Sequence, residues 1–149
     1  MRFLSVVLMS VALTAGCKKD VEPEPAPEVA KAPVEINWGP ASFDGSRAVG
    51  NKGTLTVAVT YQNNSGGALL LDVIGVQTFA PDGTKVCSTK STYGDKANDG
   101  DAINISFNME CEYKRLPPSG DLTLKGTTIY RVAGQRVELP VDTMVQFNR

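Results

Sequence analysis

In "TLTVAVTYQ" the apolar positions Leu55, Val57, Val59 and Tyr61 alternate with Thr54, Thr56, Ala58 and Thr60. This period of two marks a half-buried strand. The clearest such run is "AINISFNMECEY". Ile103, Ile105, Phe107, Met109, Cys111 and Tyr113 share one face, and Asn104, Ser106, Asn108, Glu110 and Glu112 share the other. "ALLLDVIGVQTF" is a long, mostly apolar strand whose rhythm predicts a bulge near Asp72 or Gly75. Turn chemistry separates these runs: Asn63-Asn64-Ser65-Gly66-Gly67, and Pro81-Asp82-Gly83, where proline presets φ and glycine accepts a positive one. The strand after Gly83 carries "KVCST", and "DLTLKGTTIYRV" and "QRVELPVDTMVQFN" form a final hairpin around Ala133-Gly134. No window has helical periodicity. Seven or eight short strands at this spacing over residues 36–149 predict an all-β fold, an antiparallel immunoglobulin-like β-sandwich. The chain lacks a Cys-Trp-Cys pattern, which excludes a true antibody-type domain.

The beginning of the chain has another texture. Arg2 is followed by an apolar run from Phe3 to Leu13, then Thr14-Ala15-Gly16 and Cys17. The run is too short to span a bilayer, which takes about 20 residues. A positive start, a short apolar core and small residues at the end describe a secretory signal over residues 1–16. "LTAGC" resembles the lipobox of bacterial lipoproteins. That resemblance implies cleavage after Gly16, acylation of Cys17 by diacylglycerol (with an amide-linked chain added in many bacteria), and a lipid bilayer as partner. An ordinary signal with a chance cysteine at its edge is the alternative. Lys18 stands where an aspartate would imply inner-membrane retention, so the family rule points to the outer membrane. Residues 17–35 then read as a tether: prolines at positions 23, 25, 27 and 33 and alternating glutamates leave no apolar periodicity. In polyproline II at ~3.1 Å per residue such a segment reaches ~50 Å.

Composition narrows the chemistry. A formal net charge of -1 gives no footprint for nucleic acid. The chain contains no histidine, which removes the commonest general base, the usual zinc ligand and every histidine-dependent triad. It contains three cysteines. With Cys17 carrying lipid, Cys87 and Cys111 remain, and in an oxidising compartment two thiols on neighbouring strands are expected to pair. Neither lies in a Cys-x-x-Cys pair, so the expected role is structural.

The densest acidic stretch, "YGDKANDGDAIN", places Asp95, Asp99 and Asp101 around Gly100 in partial imitation of a calcium loop. Ala97 occupies a ligand position and Ser106 replaces the bidentate glutamate, which favours a solvated Asx/Gly-rich turn. Asp95, Asp99 and Asp101 are therefore only weak metal candidates, and no cofactor is assigned. No Gly-x-Ser-x-Gly pattern occurs, and Ser88, Thr89 and Lys90 are expected on a strand surface. Trp38, beside Gly39-Pro40, is read as a packing residue in preference to a sugar platform. Asn63 and Asn64 are read as serving backbone geometry.

The strand running into Asn63-Asn64, then "LLLDVIGVQTFAPDGTKV" and the closing "GTTIYRVAGQRVELPVD", resembles the water-stress and hypersensitive-response (WHy) domain of the late-embryogenesis-abundant group over Thr54 to Phe147. The departures are Ser65, where the family turn continues after a proline, and the cysteine pair, which is not a family feature. The resemblance implies a non-catalytic β-sandwich linked to stress protection and carries over no active site. Taken together, the residues point to a lipid-anchored, non-enzymatic binding or scaffolding domain of the bacterial envelope. Its threonine and asparagine faces would meet a protein or envelope partner. A WHy-type protective protein is the alternative and an envelope enzyme a remote one.

Overall fold

The computed structural model describes residues 32–45 and 51–148. Cys17, the signal segment and the tether up to residue 31 lie outside the described residues. The strands are β1 (Val34–Asp44), β2 (Lys52–Asn63), β3 (Leu69–Phe79), β4 (Lys85–Thr92), β5 (Lys96–Ala97), β6 (Ala102–Glu112), β7 (Ser119–Val132) and β8 (Gln135–Asn148), with one 3-10 turn at Tyr113–Arg115. Strand β1 begins at Val34, so Val34 and Glu35 belong to the domain and not to the tether.

The alternation seen in the sequence is realised in burial. Leu55, Val57, Val59 and Tyr61 are buried on β2, and Ile103, Phe107, Met109 and Cys111 on β6, with Ile105 packed against them. On β3 the expected bulge falls at Asp72, where the register to β7 shifts between Leu71 and Val73. The extra residue changes which parity faces inward: Leu69 and Leu71 are buried before it, Ile74, Val76 and Thr78 after it. The final hairpin closes through Ala133 (φ 48°) and Gly134 (φ 82°). Positive φ at both central positions is what a tight hairpin turn matched to strand twist requires.

The antiparallel immunoglobulin-like sandwich is overturned. The strand order β4-β6-β2-β1-β8-β7-β3 returns to β4 through the β3–β4 pairing, closing seven strands into a mixed barrel, with β5 as a short addition on β3. Six of the seams are antiparallel, but β1 and β8 run parallel through Ala41↔Phe147 and Ser42↔Asn148. Sandwich and barrel share one inward/outward alternation, so the local pattern could not separate them. What decides is the pairing of the first strand with the last and of β4 with β6, neither of which has a local sequence signal.

These two seams are narrow. β4 meets β6 at one register pair, Cys87↔Cys111, and the same residues form a disulfide with Cα atoms 4.7 Å apart. Both seams lie at the same end of the barrel. Ala41 pairs with Val57, Val57 with Phe107, and Gly53 with Cys111, so β1 closes onto β8 within one to two turns of pleat from the cystine. The core fills the space above them, and Trp38 seals it by an edge contact with Phe107, ring centroids 6.0 Å apart. Its inward register confirms Trp38 as a packing residue.

Gly126 is the tightest backbone approach in the barrel: a Cβ there would stand 2.0 Å from the Gly75 carbonyl oxygen. Only glycine lets β7 and β3 meet at this point.

The cystine encloses a 24-residue separation, for which the chain-entropy relation gives a stabilisation of ~3.5 kcal/mol. The Cys87→Ser/Cys111→Ser protein is expected to lose about that much unfolding free energy in urea titrations. An unchanged midpoint would show that the barrel closes without the clasp.

Candidate functional site

At the end away from the cystine, the loops are knitted together around Asn63. This residue is completely buried at the end of β2. Its amide donates to the carbonyls of Gly67 (2.7 Å) and Ala97 (3.2 Å), and its side-chain oxygen accepts from the Ser65 hydroxyl (2.6 Å) and backbone N–H (3.2 Å). Its main-chain N–H donates to Asp101 O, and its carbonyl accepts from Gly100 N–H. One asparagine thus ties the turn at residues 64–67 to the acidic loop. Asn63 serves backbone geometry, as the turn motif leads one to expect, while its reach to residues 97–101 is a tertiary fact that the motif does not contain.

Part of the acidic loop joins the same network. Asp99 accepts from the Gly66 N–H at 2.8 Å, and Asp101 accepts from the Asn98 amide at 3.4 Å. Asp95 is tied through its backbone, its carbonyl accepting from Leu71 N–H. Among the described residues no group of three or more acidic or cysteine side chains is placed to hold a metal ion. β5 itself, Lys96–Ala97, arises inside this loop, where Ala97 is buried against the core and pairs with Leu69. The alanine in the imperfect calcium pattern is thus a core residue.

Elsewhere the candidates separate. Ser88 and Lys90 are exposed on β4, and Thr89 is half-buried beside Ser91 with their hydroxyls 3.4 Å apart. Around the cystine lies a shallow charged rim in which Lys52 pairs with Glu110, and Arg115 with Glu112 at 2.7 Å. On the outer face of β3, β7 and β8 run two adjoining depressions that share Lys125. One, of about 840 Å³, is bordered by Phe79, Ala80, Pro81 and Met144. The other, of about 650 Å³, is bordered by Gly75, Gln77, Ser88, Lys90 and Gly126. A smaller cleft of about 320 Å³ opens where β1 and β8 part, with Ile36, Trp38 and Leu139 along it.

Solved structures share this fold. Structural-genomics target SoR45 superposes with a TM-score of 0.59 at 9% identity, covering 78% of this chain and 87% of that one. A Bordetella pertussis protein given the name ApaA matches at 0.55 with 9% identity, over 78% of this chain and 94% of that one. A protein from Archaeoglobus fulgidus matches at 0.51, again at 9% identity, over 78% and 94%. No protein-family model matches the chain, and no curated protein matches it in sequence. At such identity the likenesses show the fold alone.

The strongest electrostatic perturbation belongs to a packing group. Tyr61, fully buried, has its phenol pushed up to about 12 by burial, against the opposing effect of its 2.8 Å hydrogen bond with Thr128. Burial also raises Tyr93 and Tyr130. Asp82 is held low by the Thr84 N–H donating to it, which is turn chemistry. The outer depressions escaped sequence reasoning because they depend on which strands lie side by side. The one available signal was Gly75 and Gly126, glycines inside strands.

Tyr61 sets a pH dependence. Its folded pKa lies above the unfolded value, so the unfolded chain binds fewer protons between pH 10 and 12, and stability is full below pH 10 and falls as pH rises. At about 1.4 kcal/mol per pKa unit, a rise from 10.0 to about 12 corresponds to about 3 kcal/mol across that window. Urea titrations at pH 9.5 and 11.5 are expected to show this fall in the wild type and a clearly smaller one in Tyr61→Phe. Equal slopes would contradict the assignment. Millimolar calcium is expected to leave the melting temperature unchanged; a rise would restore the acidic loop as a metal site.

Proposed function

We propose that this chain is a lipid-anchored, non-catalytic protein of the bacterial envelope, whose barrel is held on a tether and serves as a binding or scaffolding module. The observation that carries the reading is "LTAGC", with Cys17 at the junction of a short apolar run and the first lysines. Two acyl chains hold a protein at a membrane far more firmly than one, at ~0.8 kcal/mol per buried CH2. The Cys87–Cys111 disulfide supports export, since such bonds persist in oxidising compartments.

The barrel also presents a surface suited to a partner. On the outer face of β2 and β6, Thr56 donates to Asn108 Oδ1 and Thr60 to Asn104 Oδ1, both at 2.8 Å. Each pair fixes the asparagine oxygen toward its neighbour and leaves the amide N–H groups turned to solvent, so the face offers a row of oriented donors. Ala58 and Ser106 between the pairs keep that row shallow. Such a face matches the hydrogen-bonding needs of a polar protein or envelope partner.

Replacing Cys17 by Ser tests the anchor. The wild type is expected in the membrane fraction with an acylated amino-terminal residue, and the Cys17→Ser chain in the soluble fraction. A Cys17→Ser chain that stays on the membrane, or an unmodified wild-type Cys17, would remove the proposal. Capture experiments with both forms are expected to recover the same partner, weakened by Thr60→Lys on the β2 face.

A further inference from the structure

We propose that the outer face of β3, β4, β7 and β8 is a binding site for an anionic phospholipid, its phosphate held between Lys90 and Lys125 and its apolar part along Phe79, Pro81 and Met144. The inference deepens the anchored reading by giving the barrel its own contact with a bilayer surface, and it rests on geometry that does not involve Cys17.

Four observations converge. The two depressions on this face adjoin and share Lys125, so a charged region leads directly into an apolar one. In the first region the ionisable groups at the rim are the two lysines, with the Ser88 hydroxyl and the Gln77 amide as further donors. An anion would therefore meet complementary charge and donors from three strands.

The second observation is the apolar region. Met144 on β8 is 70% exposed, the most exposed large apolar side chain among the described residues. Met144 stands beside Phe79, Ala80 and Pro81 in the larger depression. An unbranched thioether is well suited to an irregular apolar chain.

The third is Gly75, in the middle of β3. Glycine weakens a strand and often marks a place where something approaches closely. Here the fold does not demand it: its φ is not positive, and a Cβ would stand 3.8 Å from Lys90 Cγ and from Thr127 O, ordinary contact distances. The missing side chain keeps the floor between the lysines open. Gly126, by contrast, is required by packing.

The fourth is the state of Lys125. Its nearest carboxylate is Asp142, which also borders the apolar depression, at 3.8 Å with both side chains more than half exposed. Such a pair contributes little. A phosphate diester approaching over Gly75 can take Lys125 from it, and Asp142 then lies at the edge where the glycerol of a lipid would pass.

The test uses the chain carrying Cys17→Ser, so that no attached acyl chain contributes and failure of the anchor is read separately. Its amide and methyl NMR spectra are titrated with dihexanoylphosphatidylglycerol, dihexanoylphosphatidylcholine and inorganic phosphate, each below micellar concentration. The glycerol lipid is expected to move the amides of Gly75 and Gly126 and the methyl of Met144 together and saturably. The Lys90→Glu/Lys125→Glu chain should bind at least tenfold more weakly. Gly75→Val should also weaken binding while Gly75→Ala keeps the melting temperature, which separates loss of the site from loss of the fold. Three results would overturn the proposal: equal binding of the choline lipid, phosphate alone reproducing the shifts without Met144, or charge reversal leaving the affinity unchanged.

Discussion

The barrel depends on closure at one end. Most seams are long ladders, as in the pairing of β7 with β8 from Ser119↔Asn148 to Val132↔Gln135. Two are not: β1 and β8 share Ala41↔Phe147 and Ser42↔Asn148, and β4 and β6 share the cystine position. A single bridge between edge strands contributes little cooperativity by itself. The covalent bond holds that bridge in place while Leu55, Phe107 and Met109 pack behind it. A chain-entropy effect in the unfolded state is thereby linked to a topological one in the native state: the disulfide sits at the register pair where β4 meets β6 and the barrel closes.

At the opposite end closure is achieved by polar chemistry instead of by strand pairing. Loops must bring their peptide groups to partners once they leave the ladders. Asn63 supplies donors and acceptors to three stretches of chain, and Asp99 takes the N–H of Gly66. Among the described residues no buried side-chain nitrogen or oxygen lacks a partner. Of the acidic loop's side chains, Asp99 takes the Gly66 N–H and Asp101 the Asn98 amide, which fastens the loop to the turn at residues 64–67.

Much of this was legible in the sequence, and what was hidden follows a rule. Strands β2, β3, β4, β6, β7 and β8, the bulge at Asp72 and the hairpin at Ala133-Gly134 all leave local signals: period-two alternation, a misplaced polar residue, a turn dipeptide. The cystine was legible by counting. Strand β1 was less so, because its Gly39-Pro40 step breaks the register between Trp38 and Ala41 and masks the alternation. Strand β5 has two residues and no pattern. The choice of barrel over sandwich was not legible, since it turns on Ala41 meeting Phe147 across more than a hundred positions. The outer depressions share that limitation, because Lys90 and Lys125 become neighbours only when β4 and β7 flank β3.

The placement of glycines ties fold to proposed function. Gly126 is fixed by the backbone, since β3 and β7 come too close there for any Cβ. On the outward register of β3, Gly75 lies opposite Lys90 and leaves a stretch of surface without a side chain beside Lys125. The opposite face, on β2 and β6, has no such approach; there Thr–Asn pairs stand in rows. The two faces thus offer different chemistry, oriented neutral donors on one and a cationic recess running into apolar surface on the other. In the proposed function the barrel would lie against a membrane on one side and meet a polar partner on the other.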